Sequence, residues 1–342
     1  MHKQSFFFFK VLLLFASFNF SFFIFKSLNF LPIDDITTSI ANLEGYYSEK
    51  LNYLTLYSIS SPQEFLYKNA LHASLLSLLN NIFNSPELAV YIFAEFSVLS
   101  FSIALILYSS NISVPLILSF IPLVVSTTFS QSRSCLAISI CFILLYRLKS
   151  FPSFLSKSFQ ISKLSLKTFP TNFTLLLAAI FFHPLSLFFL IIFLMPFLQY
   201  LFKSLLMRLS LTYVSFLVIV LISVFLGFFF NYLFTVVIRF SLLDNTQSSF
   251  FVYLIALSLL FSSFGLSGSF YDIPSYKYFL SVFRYVIIVS TLICFASPAF
   301  HRVYFLALPL YILIVTRSLN LRTITPLLLI LFFSLRYIFA IS

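Results

Sequence analysis

FSQSRSCLAISICFILLYRL, residues 129–148, is the stretch whose reading decides the fold. From Cys135 onward it reads as a membrane-spanning helix, and Arg147 closes it. A cation at the cytoplasmic end of a span is ordinary topology. The other end is unusual: Arg133 opens the apolar run, set among Ser130, Gln131, Ser132 and Ser134. A guanidinium at that mouth needs a reason beyond topology.

The rest of the chain supports the membrane reading. Hydrophobic residues make up 61% of the 342 positions and charged residues 8%, and the mean hydropathy is +1.07. A soluble fold of this length could not hide so much apolar surface. The apolar runs are long enough for a hydrocarbon core of about 30 Å, which takes roughly 20 helical residues. The short alternating segments of a β-barrel are not seen. The expected class is all-α: a polytopic transmembrane bundle in one integral membrane domain, residues 1–342, without an internal repeat.

The net charge of +11 does not indicate nucleic acid, because the cations lie between the spans and not along one soluble face. Cys135, Cys141 and Cys294 fall in or beside apolar runs without metal-ligand spacing, and read as core packing. The start, MHKQSFFFFK, is basic like a signal peptide, but the apolar segment runs to Leu31 without a small-x-small cleavage pattern. It reads as an uncleaved first span.

Hydropathy places spans near 6–31, 86–108, 112–130, 132–148, 169–182, 184–202, 210–238, 249–268, 279–296, 303–316 and 323–341, about eleven in all. His183-Pro184 interrupts one long apolar stretch, and a tight hairpin there is expected because proline removes a donor and turns its predecessor away from helix. With the N-terminus inside, thirteen of the 20 lysines and arginines fall on the cytoplasmic side and seven outside, as the positive-inside rule requires. The basic segment 147–168 is the strongest cytoplasmic signal. Losing the hairpin at His183 would move Lys203 and Arg208 outside, against the rule. Between the first two spans lies an outer loop, about 32–85, which holds Asp34, Asp35, Glu44, Glu49 and Glu64. Within it FLYKNALHASLLSLLNNIF reads as an amphipathic helix lying on or dipping into the outer face, broken by Lys68, Asn69 and His72.

This topology gathers Arg133, His183, Arg239, His301 and Arg302 at the outer face. Each alone has a plain reading: a snorkelling arginine, a packed histidine, a loop cation. An arginine at a helix centre costs roughly 2.5–3.5 kcal/mol on insertion scales, so such groups usually face protein or a water-filled cavity. Together they describe a site for an anion, since guanidinium forks hold phosphate bidentately. Reached at the outer leaflet, that anion is a lipid carrying phosphate or diphosphate. Glu95, within a span, reads as a partner for another helix, with proton coupling as the sharper alternative.

S-Q-S-R-S-C-L-A-I-S-I (Ser130 to Ile140), L-L-L-A-A-I-F-F-H-P-L-S-L (Leu175 to Leu187) and H-R-V-Y-F-L-A-L-P-L (His301 to Leu310) follow in that order. This layout resembles the EpsG/Wzy-type polysaccharide polymerase family of bacterial membranes. Arg133, His183, Ser186 and Arg302 take the places of that family's arginine, histidine, serine and late arginine. The resemblance implies a metal-independent glycosyltransferase without cofactor. It would join undecaprenyl-diphosphate-linked repeat units at the outer face of the cytoplasmic membrane, for O-antigen, capsule or exopolysaccharide. Arg133 and Arg302 would hold the diphosphate leaving group, and His183 would be either base to the acceptor hydroxyl or a further phosphate contact. Gln131, Ser186, Arg239, His301, Asp34 and Asp35 complete the expected substrate-binding set. The implied partners are the lipid-linked oligosaccharide, the bilayer, a flippase and a chain-length regulator, with no nucleic acid.

The family often carries an aspartate and tyrosines in the first outer loop, and here Asp34, Asp35, Tyr46 and Tyr47 match that pattern only loosely. The nearest rival is a multispan glycosyltransferase that takes sugar from a polyprenyl monophosphate and works through Asp34 and Asp35. An O-antigen ligase would need a larger late outer loop than 239–248. A flippase or other transporter would show repeats and charges near the bilayer midplane.

Overall fold

A computed structural model describes residues 2–30, 36, 40, 70–109, 111–148, 163–183, 186, 254–255, 257–259, 307–309, 313 and 321–341. The regular elements among them are all helices: α1 (His2–Ser27), α2 (Ala70–Phe83), α3 (Pro86–Tyr108), α4 (Ser113–Ser119), α5 (Pro122–Ser130), α6 (Ser132–Leu148), α7 (Lys163–Phe182) and α8 (Leu321–Ile341). Ser5–Ser27 and Pro86–Tyr108 are each long and apolar enough to cross a membrane, at 23 residues or about 34 Å.

Local sequence sets the helix ends. α1 closes at Asn29, whose left-handed φ of 56° lets Phe30 N–H reach Phe25 O and Asn29 N–H reach Lys26 O. That paired bonding satisfies the last carbonyls, and asparagine tolerates the backbone it needs. Asn84, at φ 50°, ends α2 in the same conformation. Ser85 then caps α3, its hydroxyl accepting from Leu88 N–H at 3.2 Å, with Pro86 and Glu87 in the first turn. Proline without a donor and an acid at the positive helix end both suit that position. The five residues Phe83 to Glu87 therefore stop one helix and start the next within a tight corner.

α3 is the centre of the packing. α1 runs antiparallel to it: Lys26 Nζ donates to Tyr91 Oη at 2.6 Å, Asn19 Nδ2 donates to Glu95 Oε2 at 3.0 Å, and Phe18 meets Phe101 edge-on at 5.9 Å. α6 runs parallel to α3, fixed at both ends. Ser97 Oγ donates to Ser132 O at 3.0 Å, and Tyr108 Oη donates to Phe142 O at 2.8 Å. Small buried residues run along both helices: Ala94, Ser97 and Ala104 on α3, with Cys135, Ala137, Ser139 and Cys141 on α6. Lipid is as apolar as leucine, so such helices associate through close packing and hydrogen bonds, which small residues permit. Cys135 and Cys141 are free buried thiols in that seam.

Glu95 thus has a neighbouring helix as partner. Glu95→Gln keeps an acceptor for Asn19 and is expected to change stability by under about 1 kcal/mol, whereas Asn19→Leu strips the carboxyl of its donor and costs about 1–3 kcal/mol. Unfolding titrations of both variants in mild detergent check this. Loss of function in a stable Glu95→Gln protein would instead favour proton coupling.

Several elements differ from the hydropathy reading. The span expected at 112–130 is two helices, α4 and α5, bent by 75°. Pro122 explains the break: it holds Ile121 extended at φ −90°, ψ 116° and supplies no donor to the preceding turn. α7 begins at Lys163, which moves Lys163 and Lys167 from the 147–168 loop onto a helix. α1 ends four residues before Leu31. α2 folds back along α3 and also touches α7, so His72 meets Phe93 across the Asn84 corner. The expected spans 210–238 and 279–296 lie outside the described residues, as does nearly all of 184–202, 249–268 and 303–316.

Candidate functional site

The heights of the helices place the site. Ser97 is the middle residue of the 23-residue α3, and its bond to Ser132 O sets the start of α6 at that level. Arg133 therefore stands roughly 17 Å below the Pro86 end of α3, not at the outer mouth that hydropathy suggests. α5 is the cause. It has nine residues, and the chain turns at Gln131 while still among the other helices, with Phe129 stacked on Phe22 of α1 at 4.0 Å. Gln131 N–H bonds Thr127 O, and Cys135 N–H bonds Gln131 O. The turn thus satisfies its own backbone where water is scarce, as a membrane interior requires.

Near this level basic residues from three elements come within electrostatic range of one another: His72 of α2, Arg133 of α6 and His183 after α7. His72, in the first turn of α2, is partly buried and sets its ring against the edge of Phe93, 4.7 Å between centroids. Burial holds its imidazole well below the usual histidine range, and the nearby charges of Arg133 and His183 push in the same direction. Each effect disfavours adding a further positive charge. The Arg133 side chain itself is exposed.

His183 follows the last turn of α7, its N–H bonded to Ala179 O. The next turn is marked by Ser186 N–H bonding His183 O at 2.9 Å. Phe182 leans on Phe93 at 6.2 Å, so one phenyl ring of α3 braces both the His72 and the His183 segments. Ser186 is buried and lies beside the Cys141 thiol, about two turns along α6 from Arg133. Its hydroxyl makes no hydrogen bond of normal geometry, and Gln131 Oε1 is likewise buried without a partner. Buried polar atoms usually have partners, and these two belong to residues close in sequence to Arg133 and His183.

Of the residues named from sequence, Arg133 and His183 come together, Gln131 adjoins Arg133, and Ser186 adjoins His183. Asp34, Asp35, Arg239, His301 and Arg302 lie outside the described residues. His72 was not among the expected site residues. Its only sequence signal is a histidine interrupting an apolar helical pattern, which gives no clue that the helix folds back on α3. Chemically, the cluster offers one permanent cation, two imidazoles and the amide ends of α2 and α6, and both guanidinium and helix N-termini favour anions. No protein-family model, no curated protein and no solved structure matches this chain.

Proposed function

We propose that the chain is a membrane enzyme acting on a phosphate-bearing lipid-linked glycan, and specifically that it polymerises oligosaccharide repeat units carried on undecaprenyl diphosphate. The observation that carries this reading is that Arg133 stands near the mid-height of α3, with His72 and His183 from two further elements within its electrostatic range. Cations held at that depth are costly unless a cavity or an anion accommodates them. A diphosphate carried by a polyprenyl chain presents such an anion from within the lipid phase.

The reaction needs no redox group and no metal in this reading. The acceptor sugar hydroxyl attacks the anomeric carbon of the donor chain, the bond to the diphosphate breaks, the diphosphate leaves with the electron pair, and the hydroxyl proton passes to His183 or to the departing diphosphate. Arg133 stabilises the negative charge that grows there, and a guanidinium fork aimed at it acts most strongly where water is excluded. Arg302, which the resemblance pairs with Arg133, would serve the same diphosphate. The orientation, with the N-terminus in the cytoplasm and the Pro86 end of α3 outside, rests on the distribution of lysines and arginines between the expected spans.

The test is complementation of a host strain lacking its own copy of the gene, read as a surface-polysaccharide gel profile. The wild-type chain should convert single repeat units into a ladder of long chains, and Asp34→Asn should shorten that ladder far less than Arg133→Ala does, since the grip on the diphosphate is assigned to the guanidinium. Loss of the ladder in Asp34→Asn at equal membrane level would favour the transferase that takes sugar from a polyprenyl monophosphate. Unchanged polymer in the deleted strain would remove the polymerase reading altogether.

A further inference from the structure

Side-chain contacts fix the levels of residues 109–148 along α1 and α3. The chain turns as soon as α3 ends at Tyr108: Ser109 Oγ donates to Asn111 O, and Ser113 N–H donates to Asn111 Oδ1 at 3.2 Å to open α4. Ser119, the last residue of α4, meets Ser17 of α1 with 2.6 Å between their hydroxyl oxygens. Phe129, near the end of α5, stacks on Phe22 of α1. Because α1 runs antiparallel to α3, passing from Ser17 to Phe22 climbs about 8 Å toward the Pro86 end. The climb stops at Gln131, and α6 descends. It starts level with Ser97, accepts from Tyr108 Oη at Phe142 O, and sets Tyr146 edge-on to the Tyr108 ring at 5.5 Å.

From this path we propose that α4, α5 and α6 form a re-entrant hairpin. Residues 111–148 enter the membrane at the Tyr108 end of α3, turn at Gln131 within it, and leave at the Tyr108 end again, so neither 112–130 nor 132–148 crosses. This topology goes beyond the glycan reading and does not depend on it. A hairpin and a pair of spans both return the chain to the side it left, so every later span keeps its expected direction. Only the tip tells the two arrangements apart, and with it Arg133, which moves from an outer loop into the membrane interior.

Helix lengths agree with a hairpin. α5 has nine residues, about 14 Å, which is half of a hydrocarbon core of about 30 Å. α4 cannot complete the crossing, because the 75° bend at Pro122 lays it across the direction that α5 follows. α6 has 17 residues, about 25 Å, but it begins at the mid-height of α3. Its length therefore carries Tyr146 and Arg147 past the Tyr108 end and leaves the Pro86 end unreached. The arms also settle their own polar groups. Thr127 Oγ1 donates to Leu123 O at 2.8 Å, Thr128 Oγ1 to Val124 O at 2.6 Å, and Ser139 Oγ to Cys135 O at 2.6 Å. Such back-bonds let a short helix keep hydroxyls away from water.

The experiment places single cysteines in the full chain and treats sealed membrane vesicles of both orientations with a bulky, membrane-impermeant maleimide. Glu87, Asn111, Arg133 and Arg147 are exposed positions. Cys135 and Cys141 are fully buried, and the wild-type chain gives the background labelling. Asn111→Cys and Arg147→Cys should label from one side, Glu87→Cys from the other, and Arg133→Cys from neither. Nitroxide labels on the Asn111→Cys/Arg133→Cys pair, measured by pulsed electron spin resonance, should stand roughly 20 Å apart, where a straight span would hold them about 30 Å apart. Ser132→Cys serves as the tip probe in both measurements if Arg133→Cys fails to accumulate. Tip labelling as complete as that of Glu87→Cys, or a separation near the longer distance, overturns the hairpin in favour of two spans. Labelling of Asn111→Cys and Arg147→Cys from opposite sides overturns it in favour of a single crossing. Neither result touches the proposed activity, which is read separately from the polysaccharide profile.

Discussion

Arg133→Ala is expected to leave single repeat units where the wild-type chain makes long polymer, a loss of at least about 100-fold in chain extension. The scale follows from the effect of one donor aimed at developing charge, which typically amounts to 10²–10³ in rate. Arg133→Lys tests the fork separately. Lysine keeps the charge but presents a point donor on a flexible stem, so it should recover little, with at least about a tenfold defect remaining. Gel profiles of the surface polysaccharide, normalised to membrane levels of each variant, read both. A normal ladder from either variant would reduce Arg133 to an anchoring residue. Because Ser132 and Arg133 open a helix whose backbone is tied to Ser97, neither substitution should disturb the start of α6.

Phe101→Ala carries the largest structural effect, an expected loss of about 3–5 kcal/mol. Phe101 is 0% exposed, lies edge-on to Phe18 of α1, and belongs to the turn of α3 just past the Ser132 bond. Removing the ring leaves a void between helices that have no aqueous driving force to close it, since lipid solvates apolar surface as well as leucine does. Phe101→Leu fills most of that volume and should lose under about 1.5 kcal/mol. Unfolding by denaturing detergent, followed by far-ultraviolet circular dichroism, separates the two. A change below 1 kcal/mol for alanine would contradict the packing of α1 on α3.

The helices of the first half were legible because their signals are local. His183-Pro184 marks the end of α7, whereas Pro122 and the Asn84–Glu87 corner carry local signals that the hydropathy reading passed over when it took 112–130 as one span. Hydropathy located 86–108 and 132–148 within their observed bounds. It missed heights, since hydropathy counts apolar residues and says nothing about how deep a helix begins. The 75° bend between α4 and α5 shortens the climb to Gln131, and only the Ser97–Ser132 bond reveals that Arg133 starts at half height. His72 was missed for a related reason. Its partners Phe93, Arg133 and His183 are 21 to 111 positions away in sequence, and no periodicity within residues 70–83 encodes them.

The half-height start of α6 also has an electrical consequence. With α3 across the bilayer, a group level with Ser97 lies about midway along the voltage drop of an energised membrane. Crossing the whole drop is worth about 2.3 kcal/mol per elementary charge at 100 mV, so reaching this level is worth roughly half of that. A phosphate resting among lipid head groups feels almost none of it, whereas a diphosphate drawn down to Arg133 feels it once for every charge it carries. On the proposed function, occupancy of the cluster would thereby be tied to how strongly the cell is polarised, an input that a site at the membrane surface could not receive.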